Sequence, residues 1–234
     1  MPNENSRRLV WDLPLRLFHW LFAVSILASW ATGKAGFEWT PWHMRLGYWM
    51  IGLLIFRVIW GFIGPRHARF SSFLASPRKT WSHLRGLFGA GTLLHSVGHN
   101  PLGGLMVIVM LALVAFQATT GLFSTDDIVW TGPYNPSVSS ATAQFLTKLH
   151  HANFNLILAA VALHVSAILF YAFAKKQNLV GAMLTGWKPA EAVPAEEAIT
   201  SSELLKALIV IACSSLVVYV LLSSAPPAPA GNTF

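Results

Sequence analysis

LHHANFNLILAAVALHVSAILFYAFAKK, residues 149–176, decides the fold. Between the His150-His151 pair and Lys175-Lys176, the only Asp, Glu, Lys, Arg or His is His164. A helix crosses the ~30 Å hydrocarbon core of a bilayer with about 20 mostly apolar residues. The stretch has that length and that composition, with basic residues where the core would end. Its apolar span is 150–173.

Four more such spans follow, at 15–31, 43–63, 101–123 and 204–222. Asp12 and Pro14 open the first as a helix cap and an early proline would. Pro41 precedes the second and Gly64-Pro65 ends it, Asn100-Pro101 opens the third, and Ser201-Ser202-Glu203 opens the fifth. Over the whole 234 residues, 54% are hydrophobic, 11% are charged and the mean hydropathy is +0.54. A soluble domain carries roughly 25% charge, so this chain could not cover a surface in water. A single cysteine, Cys213, excludes a disulfide scaffold, and the apolar excess excludes disorder as the main state. The expected fold is an all-α integral membrane protein, a four-helix bundle with a fifth, C-terminal helix.

The formal charge is +7. Arg7, Arg8 and Arg16 stand at the N-terminal end, Arg66, Arg69, Arg78, Lys79 and Arg85 after the second span, and Lys175, Lys176 and Lys188 after the fourth. The alternate loops carry only Lys34, Arg45 and Lys148. Such alternation sets orientation in a membrane, with the richer loops inside. It predicts a multi-pass membrane protein, N-terminus cytoplasmic and C-terminus outside, which in a bacterial inner membrane is periplasmic. Because topology accounts for the charge, no nucleic-acid partner is expected. The Arg-rich start also resembles a signal peptide, but the apolar run is long, contains His19 and lacks a good cleavage site.

Residues 1–176 read as the bundle domain, 177–202 as a cytoplasmic linker rich in Ala, Pro and Glu, 203–224 as the extra helix and 225–234 as a disordered tail. The segment 66–98 is basic and aromatic, too short in apolar residues to span, and reads as an amphipathic stretch on the inner face.

Nine histidines need a reason. His150 and His164 lie fourteen residues apart, about −40° around a helix after four full turns and ~21 Å along it. His151 falls on the opposite side from His164. His19 sits one turn inside the first span, at the inner end, and His43 begins the second, at the outer end. Depth therefore pairs His19 with His164 and His43 with His150. Each imidazole taken singly could as well hydrogen-bond between helices. Two bis-histidine sites at different depths are what a haem-based electron wire requires, and iron with two axial imidazoles has no open position. Arg57, fourteen residues after His43, would reach the inner site, where a haem propionate would neutralise it; otherwise it snorkels to headgroups. His67, His83 and His95 read as surface or headgroup contacts, and His99 as a cap or a neighbour of a quinone site. No C-x-x-C-H motif, cysteine cluster or phosphate loop occurs, so the haem would be non-covalent b-type. Two other classes fit less well. A histidine-lined metal transporter would need carboxylates in the spans, which hold almost none, and an inert anchor would leave the pairing by depth unexplained.

Four segments, VWDLPLRLFHW (10–20), HMRLGYWMIGLLIFRVIWGFIGPRHARF (43–70), GHNPLGGLMV (98–107) and LHHANFNLILAAVALH (149–164), resemble the bacterial cytochrome b561 and nickel-iron-hydrogenase b-type cytochrome family. The resemblance implies a four-helix core with two b haems, ligated at His19, His43, His150 and His164. It also implies electron transfer between the quinone pool and a partner, which is a c-type cytochrome or a dehydrogenase or hydrogenase subunit. A stand-alone quinone or superoxide oxidoreductase is the alternative within the family. The fifth helix and its Pro/Ala tail depart from the four-helix form and leave the partner open.

Overall fold

A computed structural model of the chain describes residues 7–87, 89 and 96–227. Expectations for Phe88, His95, the first six residues and the end of the tail lie outside the described residues. In chain order the elements are β1 (Arg7–Leu9), α1 (Leu13–Lys34), α2 (Thr40–Ile63), α3 (Phe70–Phe73), α4 (Pro77–Leu87), α5 (Pro101–Gly121), α6 (Ser140–Ala174), α7 (Leu179–Thr185), β2 (Trp187–Pro189) and α8 (Leu204–Ser223). Short 3-10 turns link several of them. Among the described residues five helices, α1, α2, α5, α6 and α8, are long and apolar enough to cross a membrane. The chain is an all-α multi-pass membrane protein.

The largest difference from the sequence reading is the start of α6, ten residues before His150. The Ser139 hydroxyl accepts from the Thr142 N–H at 3.2 Å and caps the helix there. An apolar run marks where a helix suits lipid, not where its backbone bonding begins.

Two compact units divide the chain. One holds Met1–His19, Arg57–Val109 and Val161–Val210. Asp12, fully buried, organises it: its Oδ1 accepts from the Leu15 N–H at 2.9 Å, capping α1, and from the Trp60 indole N–H at 3.0 Å. Burial drives this carboxyl upward from its ordinary range, and the two donors work against that drive. Replacing Asp12 by Ala removes the cap and strands the buried indole of Trp60, an expected loss of about 1–3 kcal/mol. Thermal unfolding of the purified variant in detergent reads it, and an unchanged midpoint would contradict the assignment.

The stretch read as a linker is an ordered strap. Strand β2 pairs antiparallel with β1, placing Arg7 opposite Pro189 and Leu9 opposite Trp187. The Ile199 N–H donates to the Leu9 carbonyl at 2.9 Å, and Arg8 donates to the carbonyls of Ala190 and Val193. Composition suggests a linker because Ala, Pro and Glu show no periodicity; the order comes from partners almost a whole chain away. Gly186 turns the strap back at φ +89°, and a Cβ there would lie 2.7 Å from the Trp11 carbonyl, so both conformation and space require glycine.

In the same unit Asn100 caps α5 through Oδ1 to the Gly103 N–H at 2.7 Å and donates from Nδ2 to the Tyr171 hydroxyl at 2.8 Å. Gly104 admits the Phe73 backbone, whose carbonyl would lie 2.7 Å from an added Cβ.

The second unit holds Trp20–Phe56, Met110–Ala160 and Ile211–Phe234. Asn153, buried on α6, donates to the Leu113 carbonyl at 2.9 Å and to Gln117 Oε1 at 2.8 Å, fixing α6 to α5. The Tyr134 hydroxyl donates to the Leu221 carbonyl at 2.7 Å and ties the α5–α6 loop to the end of α8. In that loop Asp126 Oδ1 accepts the N–H groups of Ile128, Val129 and Trp130, each at 2.9 Å. Slight burial acts upward on its pKa, but these donors carry it below the ordinary value. Through Oδ1, Asp126 shapes its own turn.

Candidate functional site

In the first unit the imidazoles of His19 on α1 and His164 on α6 face each other, ring centres 6.4 Å apart. In the second unit His43 on α2 and His150 on α6 do the same at 6.1 Å. The two pairs are those that depth and helical face select. His151 is exposed and is not the residue opposite His43.

The second pair also has its tautomer set. His43 Nδ1–H donates to the Ser29 carbonyl at 2.8 Å, and His150 Nδ1–H donates to the Gln117 carbonyl at 3.0 Å. Each bond leaves an Nε2 lone pair available, the arrangement by which ligating histidines are oriented and made more basic. Two glycines permit it. A Cβ on Gly33 would lie 3.2 Å from the His43 ring, and one on Gly121 would lie 3.1 Å from the His150 ring. Sequence reasoning passed over Gly33 and Gly121, although each follows a threonine near a helix end. A third glycine, Gly47 on α2, has an open Cβ direction, with nothing within 4 Å. Gly47, His43 and His150 line a mainly apolar cavity of about 620 Å³, within the 300–1,000 Å³ typical of cofactor sites.

Arg57 is 1% exposed. Its guanidinium carbon stands 4.7 Å from the Phe70 ring centre and 6.0 Å from that of Phe73. Nη1 and Nη2 are buried without a hydrogen-bond acceptor among the described residues. A guanidinium so placed calls for an anion. Phe70 reaches Arg57 because residue 61 is glycine; a Cβ there would overlap the Phe70 ring at 2.1 Å. Snorkelling to headgroups does not describe this burial.

The reading of His67 and His83 as surface contacts is corrected, since they are 5% and 2% exposed. His67 lies in the turn after α2, where the strap covers it, and its Nε2–H donates to the Glu197 carbonyl at 2.8 Å. His83 lies on the inward face of α4, 3.4 Å from the Tyr171 hydroxyl. His99 is wedged between Trp11, at 4.8 Å, and Phe73, at 4.7 Å. Burial lowers the pKa of His67 and His83, and burial with the nearby Arg57 charge takes His99 down to about 3. A second cavity, about 590 Å³, adjoins Arg8, Arg66, His67, Phe73 and His99, and neither His19 nor His164 lines it.

A histidine whose folded pKa lies below its free value of 6.5 is protonated first in the unfolded chain. Its contribution to stability is complete above pH ~6.5 and is lost as the pH falls through that value toward the folded pKa. The midpoint of thermal unfolding should therefore drop from pH 8 to pH 5, and His67→Gln should flatten part of the fall. An identical slope in the variant would exclude His67 as a contributor.

Residues 10–186 match the family model described as prokaryotic cytochrome b561. Among curated relatives, the probable Ni/Fe-hydrogenase B-type cytochrome subunit of Azotobacter chroococcum mcd 1 is 25% identical over 209 residues, 76% of this chain and 87% of that protein. The protein of the same description from Rhizobium leguminosarum bv. viciae is 26% identical over 216 residues, 78% of this chain and 89% of that one. No solved structure matches the chain significantly.

Proposed function

The chain belongs to the prokaryotic cytochrome b561 family, a family of membrane b-type cytochromes, and from that premise we propose that it holds two non-covalent b haems and carries electrons across the bacterial inner membrane. His19 and His164 hold one haem, and His43 and His150 hold the other. The observation that carries this reading is the spacing of the two imidazole pairs, 6.4 and 6.1 Å between ring centres. Two imidazoles facing one metal ion across bonds of about 2 Å would set their ring centres about 6 Å apart. The donor set fits as well: imidazoles, two of them with Nδ1–H committed to backbone carbonyls, and beside these two an apolar cavity and a glycine with open space.

Haem held by these histidines would supply reversible one-electron chemistry. The protein's part is binding, orientation and exclusion of water. Ser29 and Gln117 hold the imidazole planes of the second-unit pair, and the apolar walls keep solvent from it. Arg57 supplies the counter-charge for a propionate of the haem held by His19 and His164. Each ligand pair draws one member from α6, His164 in one and His150 in the other.

The partner is a hydrogenase subunit on the precedent of the relatives' names, with a dehydrogenase or a c-type cytochrome as the other members of that class. Quinone is the membrane-soluble partner. The distribution of Lys and Arg supports a cytoplasmic N-terminus.

A reduced-minus-oxidised spectrum of the purified protein, with haem counted per chain, tests the reading. Low-spin b-type bands at two haems per chain are expected. A colourless protein after expression with ample haem would overturn it.

A further inference from the structure

One surface has no part in haem binding, the outward face of α4. This helix is tied to the ends of two spanning helices. His83 on its inner side meets the hydroxyl of Tyr171, in the last turn of α6, and the same hydroxyl accepts from Asn100, the cap of α5. Just upstream, the Phe73 carbonyl lies against Gly104 in the first turn of α5. Helix α4 thus sits at the level where α5 begins and α6 ends, and Lys175 and Lys176 follow directly. That is the level of lipid headgroups.

At ~100° per residue, Trp81, Arg85 and Arg78 fall at about 300°, 340° and 0° around α4. His83 and Gly86, both buried, fall at about 140° and 80°. Along the helix axis two guanidiniums therefore flank an indole that is 62% exposed, while exposed Lys79, at about 100°, lies off this stripe. Not one acidic residue occurs from Gly64 to Asn100. Among the described residues no carboxylate pairs with Arg78, Lys79 or Arg85, whereas Arg66 and Arg69 of the same loop are engaged with Glu197 and the Gly64 carbonyl.

We propose that the Arg78–Trp81–Arg85 face of α4 is a binding surface for anionic phospholipid headgroups. The cations meet lipid phosphate, and the indole lies among the headgroups with its apolar edge toward the acyl chains, where tryptophan is enriched. An acidic protein would satisfy the cations too, but a large exposed indole at the centre of the stripe, at bilayer-surface depth, favours lipid. Basic residues beside an anionic leaflet each gain roughly fivefold in association, so two cations give on the order of 25-fold at low salt and less as salt screens them.

Native mass spectrometry of the full-length protein, released from micelles holding phosphatidylglycerol and phosphatidylcholine in equal amounts, tests this. The wild type should retain phosphatidylglycerol at least ~10-fold over phosphatidylcholine at low salt. The variant Arg78→Gln/Arg85→Gln should lose most of that preference with its far-ultraviolet circular dichroism and its haem spectrum unchanged. The charge-conserving Arg78→Lys/Arg85→Lys should keep it, which separates lost charge from a damaged fold. Equal retention of both lipids by the wild type would overturn the proposal. So would a preference that survives in the glutamine variant, or one that is lost in the charge-conserving pair.

Discussion

With His150 replaced by alanine, the purified protein is expected to carry one haem in place of two. The remaining haem should keep its low-spin b-type spectrum, because His19 and His164 lie in the other compact unit. Alanine at His43 should give the same count, and the double variant at His43 and His150 should be no worse than either single, since both imidazoles face one position. Doubling across the pairs, His150 with His164, should remove both haems. His151→Ala is the internal control and should retain two. Pyridine haemochrome content per chain reads all of these. Two haems in the His150 variant would sink the assignment, and loss of both would mean that the sites do not form independently.

Leucine at Gly47 should be nearly as severe by a different route. No atom lies within 4 Å of the Cβ position, so the protein without haem should accommodate the side chain. The leucine would occupy part of the 620 Å³ cavity that adjoins His43 and His150. The expected result is a folded chain with one haem, an unfolding midpoint within a few degrees of haem-free wild type, and the His43–His150 ligands intact. Alanine at the same place, smaller by three carbons, should retain two haems. If Gly47→Leu still binds two, the macrocycle does not lie against that face of α2.

Much of this was legible in the sequence because lipid imposes simple rules. Five apolar runs gave five spanning helices, and helical arithmetic on His150 and His164 selected the imidazole pairs that face each other. Asp12 read as a cap and is one, and Asn100, read as the start of a span, caps it. The failures share a cause. His67 and His83 looked solvated because they sit in a basic, non-spanning stretch, yet their burial is imposed by distant partners, the strap over one and Tyr171 under the other. The strap itself carries no periodic signal. Gly33 and Gly121 could not be distinguished from other small residues, because what gives them meaning is a ring approaching from another helix. Periodicity reports which face of an element is apolar. It does not report which remote residue will cover it.

The pairing of β1 with β2 has a consequence for biogenesis. Arg7 lies opposite Pro189, so the earliest-made strand waits for a partner synthesised 182 residues later. At ~5–20 residues per second that interval is about 10–40 s, during which four spans must enter the membrane while the N-terminal strand has an open edge. The pairing is therefore a late closing step, completed just before α8 emerges. A chain whose synthesis stalls after α6 would have its four core spans and its four histidines, with the first strand still unclasped.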